Sequence, residues 1–302
     1  MRLGVFIRAV RLPFLTGSLM PVAVAAAYAY WGKGVFDLKL FLLTMFGVAF
    51  LHLGGNLIND FYDSFGSDPI NVYATPFSGG SRVIQNQELS AETVLFMAYL
   101  FFGLGVLCGL ALIYLGRPYV VVIGLLGLGL AYLYSASPVQ LMSLGLGELT
   151  IFLAFGPVLS FGAYYVMTGL LKPVGLAVSL PLAFLITAIL WINEFPDLEA
   201  DQTAAKRHLV VRLGLDRARW VYAALMIAPF LSLFFLLEVF KLPGLIFATL
   251  VALPLAVNAV RQAWVTDPTA PEFVAIQALT IKTHFLTGVA MTLALLYAAW
   301  RQ

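Results

Sequence analysis

Apolar runs of about 20 residues, repeated along the whole chain, constrain its fold more than any other feature. A helix of that length crosses a ~30 Å hydrocarbon core. Lipid offers the backbone no hydrogen-bonding partner, so only helices or closed barrels can span it, and apolarity that is continuous rather than alternating selects helices. The runs predict nine spans, at 12–31, 38–63, 91–115, 118–135, 147–168, 174–194, 218–239, 242–264 and 274–300. Turn-forming groups such as Gly32-Lys33-Gly34, Gly116-Arg117-Pro118, Lys172-Pro173 and Asp267-Pro268 punctuate the gaps. Only 11% of residues are charged and 62% are hydrophobic, with a mean hydropathy of +0.96, where a soluble domain carries roughly 25% charged residues. The expectation is an all-α polytopic membrane protein, one domain over residues 1–302, in direct contact with the lipid bilayer.

The net charge of +2 carries no signal of nucleic acid, because the bases are spread over short loops rather than clustered, and no nucleic-acid partner is expected. The single cysteine, Cys108, lies in an apolar segment, permits no internal disulfide and reads as a small buried hydrophobe. The first run follows Arg2, Arg8 and Arg11 but is too long for a signal-peptide core, so it reads as a retained first helix. Most bases fall on the side of the N-terminus, which places that terminus in the cytoplasm and the C-terminus outside, as in a cell inner membrane.

Against this apolar background two polar sets stand out. Asn56, Asp60 and Asp63 close the second span, with Asn56 and Asp60 one helical turn apart, and Asn193, Asp197 and Asp201 close the sixth at four-residue spacing. Asn59 is expected to point away from the first set. The topology puts both span ends on one side of the membrane. Each set precedes a connection that reads as long, 64–90 and 195–217, and the pairing suggests a weak internal repeat. The first loop carries Gly79-Gly80-Ser81-Arg82, and the second carries Lys206, Arg207, His208 and Arg212.

Four carboxylates cannot neutralise one another, so a cation must join them. Oxygen-only donors suit Mg²⁺, which is commonly held by carboxylates plus substrate phosphates, and there is no Cys/His set for zinc. Arg82, Lys206, Arg207 and Arg212 suit diphosphate oxygens. A metal and bases around a diphosphate, opening into an apolar bundle, fit a substrate with a charged head and a long tail, such as a polyprenyl diphosphate. His52 lies one turn before Asn56. Glu148 opens the fifth span, where a carboxylate suits a helix N-terminus, and Lys282 and His284 sit within the ninth. Intramembrane carboxylates also mark ion paths, so a cation transporter is the rival from another class; it predicts polar groups through the full depth of the bundle.

With the two sets in place, Asn56-x-x-x-Asp60-x-x-Asp63 and Asn193-x-x-x-Asp197-x-x-x-Asp201, the chain resembles the UbiA superfamily of intramembrane prenyltransferases over nearly its whole length. That resemblance implies a bundle of nine transmembrane helices around a central cavity, Mg²⁺ dependence, and Asn56, Asp60, Asp63, Asn193, Asp197 and Asp201 as metal-diphosphate residues. The stretches Tyr134-Ser135-Ala136-Ser137-Pro138, Gly145-Leu146-Gly147-Glu148 and Phe155-Gly156-Pro157 are similar to the 1,4-dihydroxy-2-naphthoate polyprenyltransferases of menaquinone biosynthesis, although 140–143 lacks the basic residue usual there. The resemblance implies an aromatic acceptor and a role for Tyr134 beside it. Other acceptors in the superfamily are 4-hydroxybenzoate, a glycerol phosphate ether lipid and haem.

Overall fold

The computed structural model describes residues 2–302, all helix and loop with no strand among them. Eight helices are long and apolar enough to cross a membrane: α1 (Leu12–Lys33), α2 (Leu38–Asp63), α3 (Ala91–Tyr114), then α5 (Gly147–Thr168), α6 (Val174–Thr203), α7 (Leu215–Phe240), α8 (Gly244–Val265) and α9 (Phe273–Trp300). Between α3 and α5 runs α4 (Val120–Ser135), the short member of the nine. At 1.5 Å per residue α4 reaches only ~24 Å, because Gly116, with φ +84°, and Pro118 end the preceding turn before a longer helix can form.

Local chemistry explains the helix ends. Asp37 caps α2 by accepting from the Leu40 amide at 3.0 Å, and Ser90 caps α3 by accepting from the Thr93 amide at 3.2 Å. Inside α5 the residues 154–158 form one π turn around Pro157, and the Ser160 hydroxyl lies 2.9 Å from the Gly156 carbonyl and 2.7 Å from the Gly175 carbonyl, both oxygens accepting.

The helices pack through small residues, as the bilayer requires where apolar burial gives no net drive between them. A Cβ on Gly54 of α2 would lie 2.6 Å from the Phe102 ring of α3, so that approach exists only with glycine. Farther along the chain, α6 through α9 bury Trp191, Phe195, Tyr222 and Phe273 together. The Trp191 indole donates to the Ala218 carbonyl at 2.9 Å, and Tyr222 and Thr280 share a hydrogen bond of 2.7 Å. Large apolar side chains such as Phe96, Leu107, Leu125 and Leu231 remain more than half exposed on the outside, which suits a surface solvated by lipid.

One predicted connection is corrected. The sixth helix does not end at residue 194 but continues to Thr203, and 195–217 holds the short helix Leu209–Leu213 and the start of α7. Pro196 forfeits one backbone hydrogen bond, yet the neighbouring Trp191, Ile192 and Phe195 are buried and hold the helix on course. The first long connection, 64–90, keeps only the single 3-10 turn Asp68–Ile70.

Candidate active site

A cavity of about 370 Å³ opens among α1 to α6. Its wall is apolar, with Leu43, Val48, Leu51, Leu112, Ile123 and Val166, whereas one end gathers Asn56, Asn59, Asp63, Asp68, Asn193, Glu194, Asp197, Asp201, Lys206 and His208. The two polar sets therefore meet, because α2 and α6 end at the same side of the bundle. The His52 ring, at 2.8 Å between Nδ1 and the Ser18 hydroxyl, and Cys108 border the cavity farther along its wall, so Cys108 is half-buried beside open space rather than sealed in the core.

Part of the cation demand is met by the chain itself. The Lys206 ammonium lies 2.9 Å from Asp63 Oδ1 and 3.4 Å from Asp201 Oδ1, bridging the first set to the second. Burial alone would lower the Lys206 pKa, but Asp63 and Asp201 outweigh it and raise it, so the side chain is charged. Arg11 pairs with Asp60, whose Oδ1 also accepts from the Ser81 amide at 3.2 Å. The same balance holds at Arg11: burial opposes the charge, and Asp60 with Asp68 raises the pKa. Asp60 is thus turned toward Arg11 and forms no part of the cavity lining, unlike Asp63.

Each remaining carboxylate is oriented. Asp197 accepts from the Asn71 amide group at 2.7 Å and from the Gly79 N–H at 3.0 Å, so the first loop folds across the end of α6. Gly80, at φ +76°, has no room for a side chain: a Cβ would fall 2.1 Å from Asp68 Oδ2. Burial, and next the neighbouring Asp63 charge, push the Asp68 carboxyl up to about 7 against the pull of Arg11. Asn56 donates to the Val10 carbonyl at 2.9 Å. Asn193 is buried with its Oδ1 unpartnered. Tyr134 borders the cavity at the end of α4.

Several predicted placements are corrected. Asn59 does face the cavity, donating to Asp63 Oδ2 at 3.0 Å and Ser135 Oγ at 3.1 Å, because α2 is lined on two adjacent faces once the loop closes over it. Of the four bases expected at a diphosphate, only Lys206 lines the cavity. Arg82 donates to the backbone carbonyl of Asp68. Arg212 donates to the carbonyls of Arg207, at 2.6 Å, and Leu144, at 2.9 Å, and both Arg207 and Arg212 are exposed. The Arg82 and Arg212 guanidinium groups thus serve backbone carbonyls. Sequence reasoning gave no site role to Arg11, Asn71 or Glu194, and noted His208 only as part of the second basic loop. Glu194 carried a signal, since an acid inside an apolar run is expensive. Arg11 counted only as a topology-setting charge, and nothing local marked Asn71.

Comparison with known proteins shows the family and the fold. The model of the UbiA prenyltransferase family matches residues 18–280. The chain is 31% identical to the 1,4-dihydroxy-2-naphthoate octaprenyltransferase of Mycobacterium tuberculosis over 81% of each chain. It is 30% identical to UbiA prenyltransferase domain-containing protein 1 of Danio rerio over 75% of this chain, and spans 66% of that protein's length. A solved UbiA homolog from Archaeoglobus fulgidus, bound to DMAPP and Mg²⁺, superposes with a TM-score of 0.63 at 20% identity, covering 94% of this chain and 99% of that one.

Proposed function

Because the chain belongs to the UbiA prenyltransferase family, we propose that it transfers a polyprenyl group from polyprenyl diphosphate to an aromatic acceptor, 1,4-dihydroxy-2-naphthoate, as a step of menaquinone biosynthesis. The observation that carries this reading is a single cavity with an anionic mouth spanned by Lys206 and an apolar wall behind it. The naphthoate octaprenyltransferase of M. tuberculosis supports the acceptor, and the DMAPP-bound homolog supports an allylic diphosphate as donor. Family membership sets the cation-transporter reading aside, and so does a wall whose polar groups gather at one end.

The donor set fits Mg²⁺. Asp63, Asp197 and Asp201 present carboxylate oxygens to the cavity, and the buried Asn193 Oδ1 lacks a partner that a hard cation would supply. Asn56, Asp63, Asn193, Asp197 and Asp201 would hold the ion, with Asp60 behind them on Arg11. When bound, Mg²⁺ neutralises the charge that develops on the departing diphosphate. Lys206 does the same from the protein side, as a fixed ammonium already paired between the two sets. The apolar wall takes the prenyl tail and keeps water from the allylic carbon. As the C1–O bond breaks, its electron pair leaves on the diphosphate, and a π pair of the acceptor ring, placed beside Tyr134, forms the new C–C bond. The substituted ring carbon then sheds what it carried, a proton to the diphosphate or a carboxyl group as CO2, and the C–H or C–C pair returns to the aromatic ring. The mouth is cytoplasmic in this reading, the side that receives most of the bases, and residues 1–302 act as one domain.

The test is pyrophosphate release by the purified protein in lipid, with prenyl diphosphate, Mg²⁺ and a panel of acceptors, products being identified by mass. Release with dihydroxynaphthoate is expected, abolished by chelation or by Asp63→Asn or Asp197→Asn. Turnover of 4-hydroxybenzoate, a glycerol phosphate ether or haem instead would reassign the acceptor. Full activity in both variants would overturn the site.

A further inference from the structure

Beside the mouth, and apart from the residues assigned to Mg²⁺, three side chains converge with no cation of their own. Glu148 opens α5, Glu194 lies on α6 and His208 on the segment that follows, and one donor atom of each lies within 4.8 Å of the others. All three are at least nine-tenths buried, at 3%, 9% and 3% exposure. Among the described residues, neither glutamate pairs with an arginine or a lysine.

Each of the three also keeps one inward atom without a hydrogen bond: Glu148 Oε2, Glu194 Oε2 and His208 Nδ1. On Glu148 and His208 the opposite atom is engaged. Glu148 Oε1 accepts from the Leu209 amide at 2.6 Å, and His208 Nε2 sits 3.2 Å from Asp201 Oδ2. A carboxylate on the far nitrogen of an imidazole is the arrangement that orients a metal-binding histidine and selects its tautomer. Here it leaves Nδ1 as the free lone pair, 3.4 Å from Glu194 Oε2. An ion with bonds of about 2.0–2.2 Å wants its donors roughly 3.3 Å apart, so that pair already has the right spacing, and Glu148, with a donor atom within 4.8 Å of both, completes the set of three.

We propose that Glu148, Glu194 and His208 form a second divalent-metal site that takes a first-row transition ion of the Zn²⁺ class. The mixed nitrogen and oxygen donors separate it from the oxygen-only set in the cavity, since imidazole favours ions such as Zn²⁺ and Co²⁺, and Mg²⁺ prefers oxygen throughout. The ion ties the start of α5 and the end region of α6 to the segment carrying Lys206 and His208. Its place is therefore that of a clamp that holds Lys206 between Asp63 and Asp201. The site is independent of which acceptor the enzyme uses.

The probe is Co²⁺, added to the chelator-stripped 302-residue chain in lipid with Mg²⁺ in large excess, read by visible ligand-field absorption and by elemental counting. One Co²⁺ per chain with ligand-field bands is expected. The bands should vanish and the count fall by one in His208→Gln and in Glu194→Gln, while Asp63→Asn keeps both. Glu148→Gln retains an oxygen for the Leu209 amide but loses the charge, and binding should weaken at least tenfold. The Glu194 side chain makes no hydrogen bond among the described residues, so Glu194→Gln decides the matter if His208→Gln does not fold. Absence of bands in the parent protein, bands that persist in Glu194→Gln, or bands lost in Asp63→Asn alone would each overturn the proposal. None of these readouts depends on prenyl transfer, so failure of the proposed reaction leaves them interpretable.

Discussion

Lys206 is the residue on which the two acidic sets meet, and it separates functional charge from structural charge at this membrane face. Its ammonium spans Asp63 and Asp201 inside the cavity, whereas Arg212 spends its guanidinium on two loop carbonyls outside it. Lys206→Met is therefore expected to lower kcat/KM for prenyl transfer by roughly 10²–10³, the usual cost of one preorganised electrostatic group. Arg212→Ala should leave the KM for prenyl diphosphate unchanged and lower thermal stability instead; steady-state kinetics beside a melting curve distinguishes the two. Asp68 makes a pH-dependent contribution of its own. Its carboxyl, raised to about 7 by burial and by Asp63, binds a proton more tightly folded than unfolded. The stability it contributes is thus fully present below about pH 4 and is lost as pH rises through about 7. In metal-free protein the melting temperature should fall between pH 5 and 8, and the fall should flatten in Asp68→Asn. The residues behind these predictions were unevenly legible in the sequence. Lys206 stood out as a base after an acidic helix end, but nothing in the run Arg82, Lys206, Arg207, Arg212 told which one would turn inward.

At the scale of elements, the loop between α2 and α3 does what neither helix can do. It carries Asn71 and Gly79 onto Asp197 and lays the Ser81 amide on Asp60, so one segment touches both acidic helix ends. Gly80 is where this closure is tightest. Gly80→Ala would combine a left-handed backbone with a Cβ 2.1 Å from the Asp68 carboxylate, and the loop would have to lift from Asp197. Loss of most pyrophosphate release is expected, with the helical content of the protein by circular dichroism unchanged; retained activity would show that the loop closes by another route. The end of α6 taught the opposite lesson about boundaries. The expected span stops at 194, yet buried neighbours carry the helix through Pro196 to Thr203, which brings Asp197 and Asp201 onto a rigid element rather than a loop.

For the molecule as a whole, the bundle separates a charged mouth from an apolar chamber, and the chamber has walls thinned by glycine. Gly127 on α4 lines the cavity with no atom within 4 Å of where a Cβ would stand. A phenylalanine there projects into the chamber without displacing the fold. Gly127→Phe should lower kcat/KM for long prenyl diphosphates by at least tenfold more than for short ones, measured across a series of donor lengths; equal effects on all lengths would place the tail elsewhere.

The sequence by itself determined the all-helical membrane class, the nine helices and the two acidic helix ends, because each rests on residues close together in the chain. Apolar run length answers to bilayer thickness, and four-residue spacing answers to helical pitch. Only the tertiary structure decided which groups face one another. Arg11 against Asp60, Lys206 between Asp63 and Asp201, and Glu148 with Glu194 and His208 join residues from separate helices and loops. Such pairings follow from how small residues let the helices approach and from which way each loop folds back. Neither is written in local spacing, since any of several nearby bases satisfies the same sequence pattern and packing admits just one of them to the cavity.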